Sequence, residues 1–217
     1  MLFARLGPLG RAAMYLAGLF TPPYKSKQKL ARYSKAGYIA ATAAIHCPDL
    51  ATGNYVFIGD RVTIYQAEDG GGVAIGDEVA IHQDTLIETG HGGAVSIGAH
   101  THLQARVQIS AYRGSVVIGR AAHIAPNCAF YPYDHGVAPD QPIYEQALTT
   151  KGGIVVGDDA WLGFGVIVLD GVHIGNGTVV GAGAVVTHDI PDNAIAVGSP
   201  ARVVRMRGQP AENESND

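Results

Sequence analysis

The chain has 217 residues, 47% of them hydrophobic and 16% charged, which is enough apolar material to bury one substantial core. Its formal net charge is −4, and its 15 Lys and Arg are sparse over the chain and form no stripe, which argues against nucleic acid as the main partner. Two cysteines, Cys47 and Cys128, are too few for the disulfide framework on which small secreted domains depend.

In chain order, the opening stretch MLFARLGPLGRAAMYLAGLF sets two Arg on an apolar body that Pro8 and three glycines interrupt. It is too short and broken to span a bilayer, and no small-residue cleavage site follows Phe20. The expectation is therefore a short helical or irregular segment that caps the first layer of the fold, with no transmembrane segment. An export signal or a membrane-surface helix is the alternative. A cytoplasmic protein is expected, peripheral at the inner membrane if the stretch lies on a bilayer.

From residue 51 onward an aliphatic anchor returns every sixth position: Ile58, Ile64; Ile75, Ile81, Ile87; Ile97, Leu103, Ile109; Ile118, Ile124, Phe130; Val156, Leu162, Val168, Ile174, Val180, Val186. Neither the 3.6 period of a helix nor the alternation of a simple strand gives a strict sixfold return. A short strand and a turn per hexad does. Four residues after the anchors stand small or β-branched residues such as Val62, Val79, Thr85, Thr101, Ala122, Cys128, Ala160 and Ala184, which suit a tight inward corner. Three hexads make one triangular coil, and stacked coils cover one another's apolar rungs. Cys128, at such a corner, reads as packing rather than catalysis.

The count breaks after every third anchor, around 65–74, 88–96, 110–117 and 131–155, and Ile75-Gly76, Ile97-Gly98, Ile118-Gly119 and Val156-Gly157 restart it. All the excursions thus leave one corner of the prism. The longest, 131–155, is the expected active-site loop, because long loops on rigid scaffolds carry most binding and chemistry. The domain reading is a capping segment at 1–50, a β-helix at 51–190, and a closing segment with a polar tail at 191–217. Of nine histidines, His135 lies in that longest loop, beside Asp134 and a glycine, with a side chain suited to proton transfer near neutral pH. The others read as surface groups.

The run IAPNCAFYPYDH (Ile124–His135) resembles the segment of galactoside and maltose acetyltransferases in which the catalytic His follows IAPN. The run from Gly153 to Arg205 is similar to the coenzyme A-binding coils and closing segment of that hexapeptide-repeat acyltransferase superfamily. The wording Asp-His-Gly and the sequence QPIYEQALTTKGGIVVGDDAWLG look closest to bacterial polysaccharide O-acetyltransferases. The resemblance implies a left-handed parallel β-helix, a handedness that the usual right-handed crossover rule would not give. γ-Type carbonic anhydrases share that fold and hold zinc with three histidines, two of them five residues apart. No two histidines here have that spacing, so no metal is expected.

What the resemblance implies for the site is an acetyl-CoA-dependent transfer to a sugar hydroxyl in surface polysaccharide or glycan biosynthesis, with His135 as general base. Asp134 or Glu145 would orient the imidazole, and a backbone N–H of the Gly163–Phe164 stretch would face the thioester. Carried over position by position, Phe164, Ala182, Thr187 and His188 fall along the cofactor, His188 replacing a lysine, while Arg202 and Arg205 match basic residues near the nucleotide. Trp161 packs against the pantetheine arm or fills a corner. Gln104 and Asp134 fall on the acceptor side. The relatives build each site between neighbouring prisms, so a homotrimer is expected. N-acetylation of an amino sugar or antibiotic on the same fold, and a non-catalytic β-helix scaffold, are the alternatives.

Overall fold

The computed structural model describes residues 8–22 and 24–209; residues 1–7 of the opening stretch and residues 210–217 of the polar tail lie outside the described residues. Short strands form three sheets of nine, seven and six strands, all parallel but for the last strand of the first, and these are the three faces of a parallel β-helix. On the first face Ile58, Ile81, Leu103, Ile124, Leu162 and Val180 pair in succession. The second face aligns Ile64, Ile87, Ile109, Phe130, Val168 and Val186, and the third aligns Ile75, Ile97, Ile118, Val156 and Ile174. Every one of these anchors is buried, and together they form one continuous core. Burial of each such side chain contributes roughly 1.5–3 kcal/mol. The small corner residues are buried as well. Three of the threonines among them satisfy their hydroxyls on backbone carbonyls: Thr85 donates to Gln104 O, Thr101 to Gly119 O and Thr178 to Pro191 O.

The coils begin earlier than residue 51. Tyr38–Ile39, Ala44–His46 and Leu50–Thr52 form a complete first coil in register with the next, pairing Ile39 with Ile58, Ile45 with Ile64 and Thr52 with Ile75. The hexad count hides this coil because Thr52, a polar residue left exposed at the open end, holds an anchor position and lies seven residues after Ile45. Ahead of it come helix α1 (Pro8–Leu19), a 3-10 turn at Tyr24–Lys27 and the short helix α2 (Gln28–Ala31). Leu30 and Ala31 pack with Tyr38, Ala40, Phe57 and Ala80 in a second, small core on the outside of the first face.

One histidine departs from its reading as a surface group. His82 is 2% exposed, with its ring 5.6 Å from that of Phe57. Burial first, then the charge of Lys25 and the ring of His102, push its pKa down from 6.5 to about 4.

The excursions all leave the edge between the second and third faces. The first three begin as strand rather than loop: Tyr65 and Gln66 pair with Glu88 and Thr89, and Leu86–Gly90 and Gln108–Tyr112 stay paired through five residues before the chain turns. The 131–155 excursion folds into a hairpin, with Asp134–His135 antiparallel to Leu148–Thr149. Its return arm is clamped by Asp170, a 6% exposed residue of the following coil, which accepts from the Thr150 hydroxyl (2.9 Å), the Lys151 N–H (2.5 Å) and the Gly153 N–H (3.2 Å). Farther out, the Gln146 side chain ties the loop by donating to Ala138 O and Gln141 O and accepting from the Ala138 N–H.

Two outcomes follow from these buried polar groups. Asp170→Ala leaves three donors at the foot of the hairpin without an acceptor, and is expected to cost roughly 2–4 kcal/mol of stability. Limited proteolysis should then cut within 131–155 before it cuts the coils, whereas an unchanged cleavage pattern would show that Asp170 does not hold the arm. His82 is neutral in the fold with its pKa depressed, so its contribution is complete above about pH 6.5 and is lost as pH falls toward about 4, where the unfolded chain has already taken its proton. Between those limits the wild type should lose roughly 3 kcal/mol more than His82→Phe in urea unfolding, and equal losses would refute the assignment.

Candidate active site

His135 is exposed at the start of the hairpin, with its ring edge-on to Tyr133 at 6.2 Å. That tyrosine belongs to a row of rings the sequence reading missed. His91 lies 5.8 Å from Tyr112, Tyr112 lies 5.9 Å from Tyr133, and Tyr131 flanks Tyr133 at 6.3 Å. His91 is fixed in turn by Asp69, which accepts from its backbone N–H at 2.9 Å and meets Nδ1 at 2.8 Å. The backbone N–H bond is the main reason that the Asp69 carboxyl lies below the ordinary carboxylate range. The signal was available: 133 − 112 and 112 − 91 are both 21, so the same extra step in each coil returns a ring to the same place on the edge.

The expected orienting groups face elsewhere. Asp134 is 3.5 Å from Lys151 Nζ in an exposed ion pair, Glu145 lies in the 3-10 turn Ile143–Glu145, and among the described residues neither has a hydrogen bond or ion pair with the His135 ring. Adjacent residues of a strand point to opposite sides, which explains Asp134. Cys128 is buried, donates to Gly163 O at 3.2 Å and has its thiol pKa pushed up to about 11 by burial, which leaves it without nucleophilic character.

The remaining candidates divide between two edges of the prism. Gln104, Gly163, Phe164 and Ala182 lie on the edge between the first and second faces, where each coil turns after its first strand. Gly163 stacks directly on Ala182; a Cβ on the glycine would come within 2.7 Å of the Ala182 nitrogen. Its N–H is spent on Val180 O, so of the Gly163–Phe164 pair only the Phe164 N–H has no partner among the described residues. The exposed ring of Phe164 stands beside that amide. Gln104 donates its N–H to Ile124 O, which sets it two coils below Gly163.

Thr187 and His188 lie on the other edge, the one from which the His135 hairpin springs, with the Thr187 hydroxyl 2.8 Å from His188 Nδ1. A shallow hollow there joins His188 and Asp189 to Arg202 and Val203 of the closing strand. Arg202–Met206 runs antiparallel to Ala194–Val197, and both arginines are exposed, with Arg202 bonded through Nη1 to Ala201 O and Arg205 through Nη1 to Gln209 O. Their other guanidinium N–H groups remain available to an anion. Trp161 stands half out of the first face beside His123, lining a hollow with Val179 and Arg207. The structure thus brings His135 to one edge and the Phe164 amide to another, with the width of the second face, roughly 15 Å, between them in a single chain.

Comparison with known proteins agrees with the repeat. Residues 153–188 match the family described as bacterial transferase hexapeptide (six repeats). The chain is 35% identical over 175 residues to a Mycobacterium tuberculosis protein called a probable acetyltransferase, a match covering 78% of this chain and 50% of that one. It is 39% identical over 90 residues to galactoside O-acetyltransferase of Lactococcus lactis, covering 42% of each. The chain spans half the length, or less, of such curated relatives. Among solved structures, the polysialic acid-specific acetyltransferase NeuO superposes with a TM-score of 0.56 at 19% identity, over 83% of this chain and 87% of that one, which is a likeness of fold. The stacked coils, the matched repeat and these relatives make the chain similar to the hexapeptide-repeat acyltransferases.

Proposed function

We propose that this chain transfers an acetyl group from acetyl-CoA to a sugar hydroxyl, with His135 as the general base. The observation that carries this reading is an exposed imidazole on a hairpin clamped by a buried carboxylate, at the end of a row of aromatic rings that offers flat apolar faces to a sugar ring. The galactoside O-acetyltransferase among its relatives supports the acceptor class.

In this reading His135 removes the proton from the hydroxyl as its oxygen attacks the thioester carbonyl carbon. The carbonyl becomes a tetrahedral oxyanion, which the Phe164 N–H stabilises. Collapse expels the coenzyme A thiolate, and the imidazolium returns its proton to that sulfur. Since His135 and Phe164 stand on different edges of one prism, the site requires His135 of one copy to face the Phe164 edge of the next, and a closed ring of three such contacts gives a trimer with three sites. Arg202 and Arg205 take the anionic end of the cofactor, a role that suits their permanent charge and free N–H groups. A protein acting in the cytoplasm on a soluble or growing glycan fits this donor.

His135→Ala should lower turnover at least ~100-fold, the usual worth of general-base help. Thermal unfolding should be unchanged, because the exposed ring makes only an edge contact with Tyr133. Activity within a few fold of wild type would remove His135 from the mechanism. Isothermal titration with acetyl-CoA should give micromolar binding to a particle of trimer mass, weakened at least ~10-fold by Arg202→Ala/Arg205→Ala. No heat of binding would overturn the donor assignment, and a monomer that turns over would overturn the shared site. Product analysis decides the acceptor chemistry: an ester supports the proposal, and an amide product would replace it with N-acetylation.

A further inference from the structure

The net charge of −4 conceals an asymmetry. Residues 1–48 hold seven cations (Arg5, Arg11, Lys25, Lys27, Lys29, Arg32 and Lys35) and no carboxylate, since Asp49 is the first acidic residue. The remaining residues hold 8 cations and 19 acids, so the balance is +7 for the first part and −11 for the rest. Lys27 is tied to Asp60 at 2.9 Å, but Lys29, Arg32 and Lys35 are exposed and have no ion-pair partner among the described residues.

Helix α1 adds a second, independent anomaly. A helix on a globular protein turns its large apolar residues inward, whereas the large apolar residues described on this one face outward. Among the described side chains of α1, those turned to the body are small: Gly10 is buried, Ala13 and Ala17 are half-buried, and Gly18 approaches the Tyr38 hydroxyl. On the outer side Leu9, Tyr15, Leu16, Leu19 and the following Phe20 are between 58% and 89% exposed. Such a contiguous set of large apolar side chains marks an interaction surface. At 12 residues α1 is about 18 Å long, too short to cross the ~30 Å hydrocarbon core of a bilayer, and among the described residues no helix is long and apolar enough to do so.

We infer that α1 and the basic segment behind it form a docking surface for an anionic lipid bilayer. Leu9, Leu16, Leu19 and Phe20 enter the interface between headgroups and acyl chains, and Lys29, Arg32 and Lys35 meet lipid phosphates and carboxylates. An apolar stripe flanked by cations without a single carboxylate is the charge pattern of a helix lying in a membrane surface. The acidic body of the chain, with its balance of −11, sets the orientation by being repelled from the same anionic surface. This surface is independent of the acetyl-transfer reading, since none of its residues belongs to either edge described above.

The test is cosedimentation of the full chain with vesicles of phosphatidylcholine alone and of phosphatidylcholine with phosphatidylserine. The chain should sediment with the anionic vesicles and stay in the supernatant with the neutral ones. High salt should release it, which reads the charge contribution without any substitution. With each basic residue near the surface worth about fivefold in binding, Lys29→Glu/Arg32→Glu should weaken partitioning at least ~10-fold. Leu16→Glu/Leu19→Glu should abolish it, while acetyl-CoA binding is unchanged. No binding to anionic vesicles, or binding indifferent to salt and to both pairs, overturns the proposal. So does a fall in particle mass of Leu16→Glu/Leu19→Glu by light scattering without vesicles, which would assign the face to a second copy of the chain.

Discussion

Every layer of this molecule depends on one repeated interaction, the backbone hydrogen bond between a coil and its neighbour. A single coil has no interior, because its three inward aliphatics cover nothing until another three lie above them. The ladder brings them into line, Ile58 over Ile81 over Leu103, and it reaches into the corners as well. There the chain turns through residues of positive φ, and most are not glycine: Glu78, Asp84, His100, Arg106, Asn127 and Asp159 all adopt it. Such a conformation costs of order 1–2 kcal/mol for an ordinary side chain. Each of these residues donates its N–H to a carbonyl of the preceding coil, so the cost of turning is offset by one more bond between layers.

The same regularity decides where function can reside. A ladder that must be made on all three faces tolerates extra residues only where they can leave the stack and return in register, and here every departure uses the edge between the second and third faces. The second and third departures extend the strand and give His91 and Tyr112 to a growing row; the last adds Tyr133 and carries the hairpin with His135. In one chain His135 and the Phe164 amide stand on separate edges of the prism. Completion of a site from two chains is then a geometric requirement of the proposed chemistry.

The fold was legible because the aliphatic period and the backbone ladder are the same fact seen twice. It failed only where that period was broken, at Thr52, whose polarity concealed a whole coil. The candidate site was legible in part. His135 stood out by its place in the longest excursion, but its surroundings did not, because they arise between coils. Asp170 touches the 150–153 arm across a layer, and the row of His91, Tyr112 and Tyr133 forms only when three excursions are stacked. His82 was misread for a related reason: the groups that act on it, the Phe57 ring and the charge of Lys25, belong to the neighbouring coil and to the segment ahead of the coils. The reading of charge over the whole chain hid the basic opening segment by averaging it with the acidic coils.

The closing strand has a consequence for the length of the whole object. Arg202–Met206 pairs antiparallel with Ala194–Val197, with a register shift at Ile195/Ala196, and so ends a sheet whose other coil strands are all parallel. On the first face an incoming parallel strand finds the edge already occupied by a strand of opposite polarity, so this sheet does not offer the continuation of its own repeat. A layer inserted within the stack must be one full triangle to keep all three ladders in register. The height of the prism behaves as a heritable ruler, and the spacing between the hairpin and the terminal arginines lengthens or shortens in steps of one layer, about 4.8 Å.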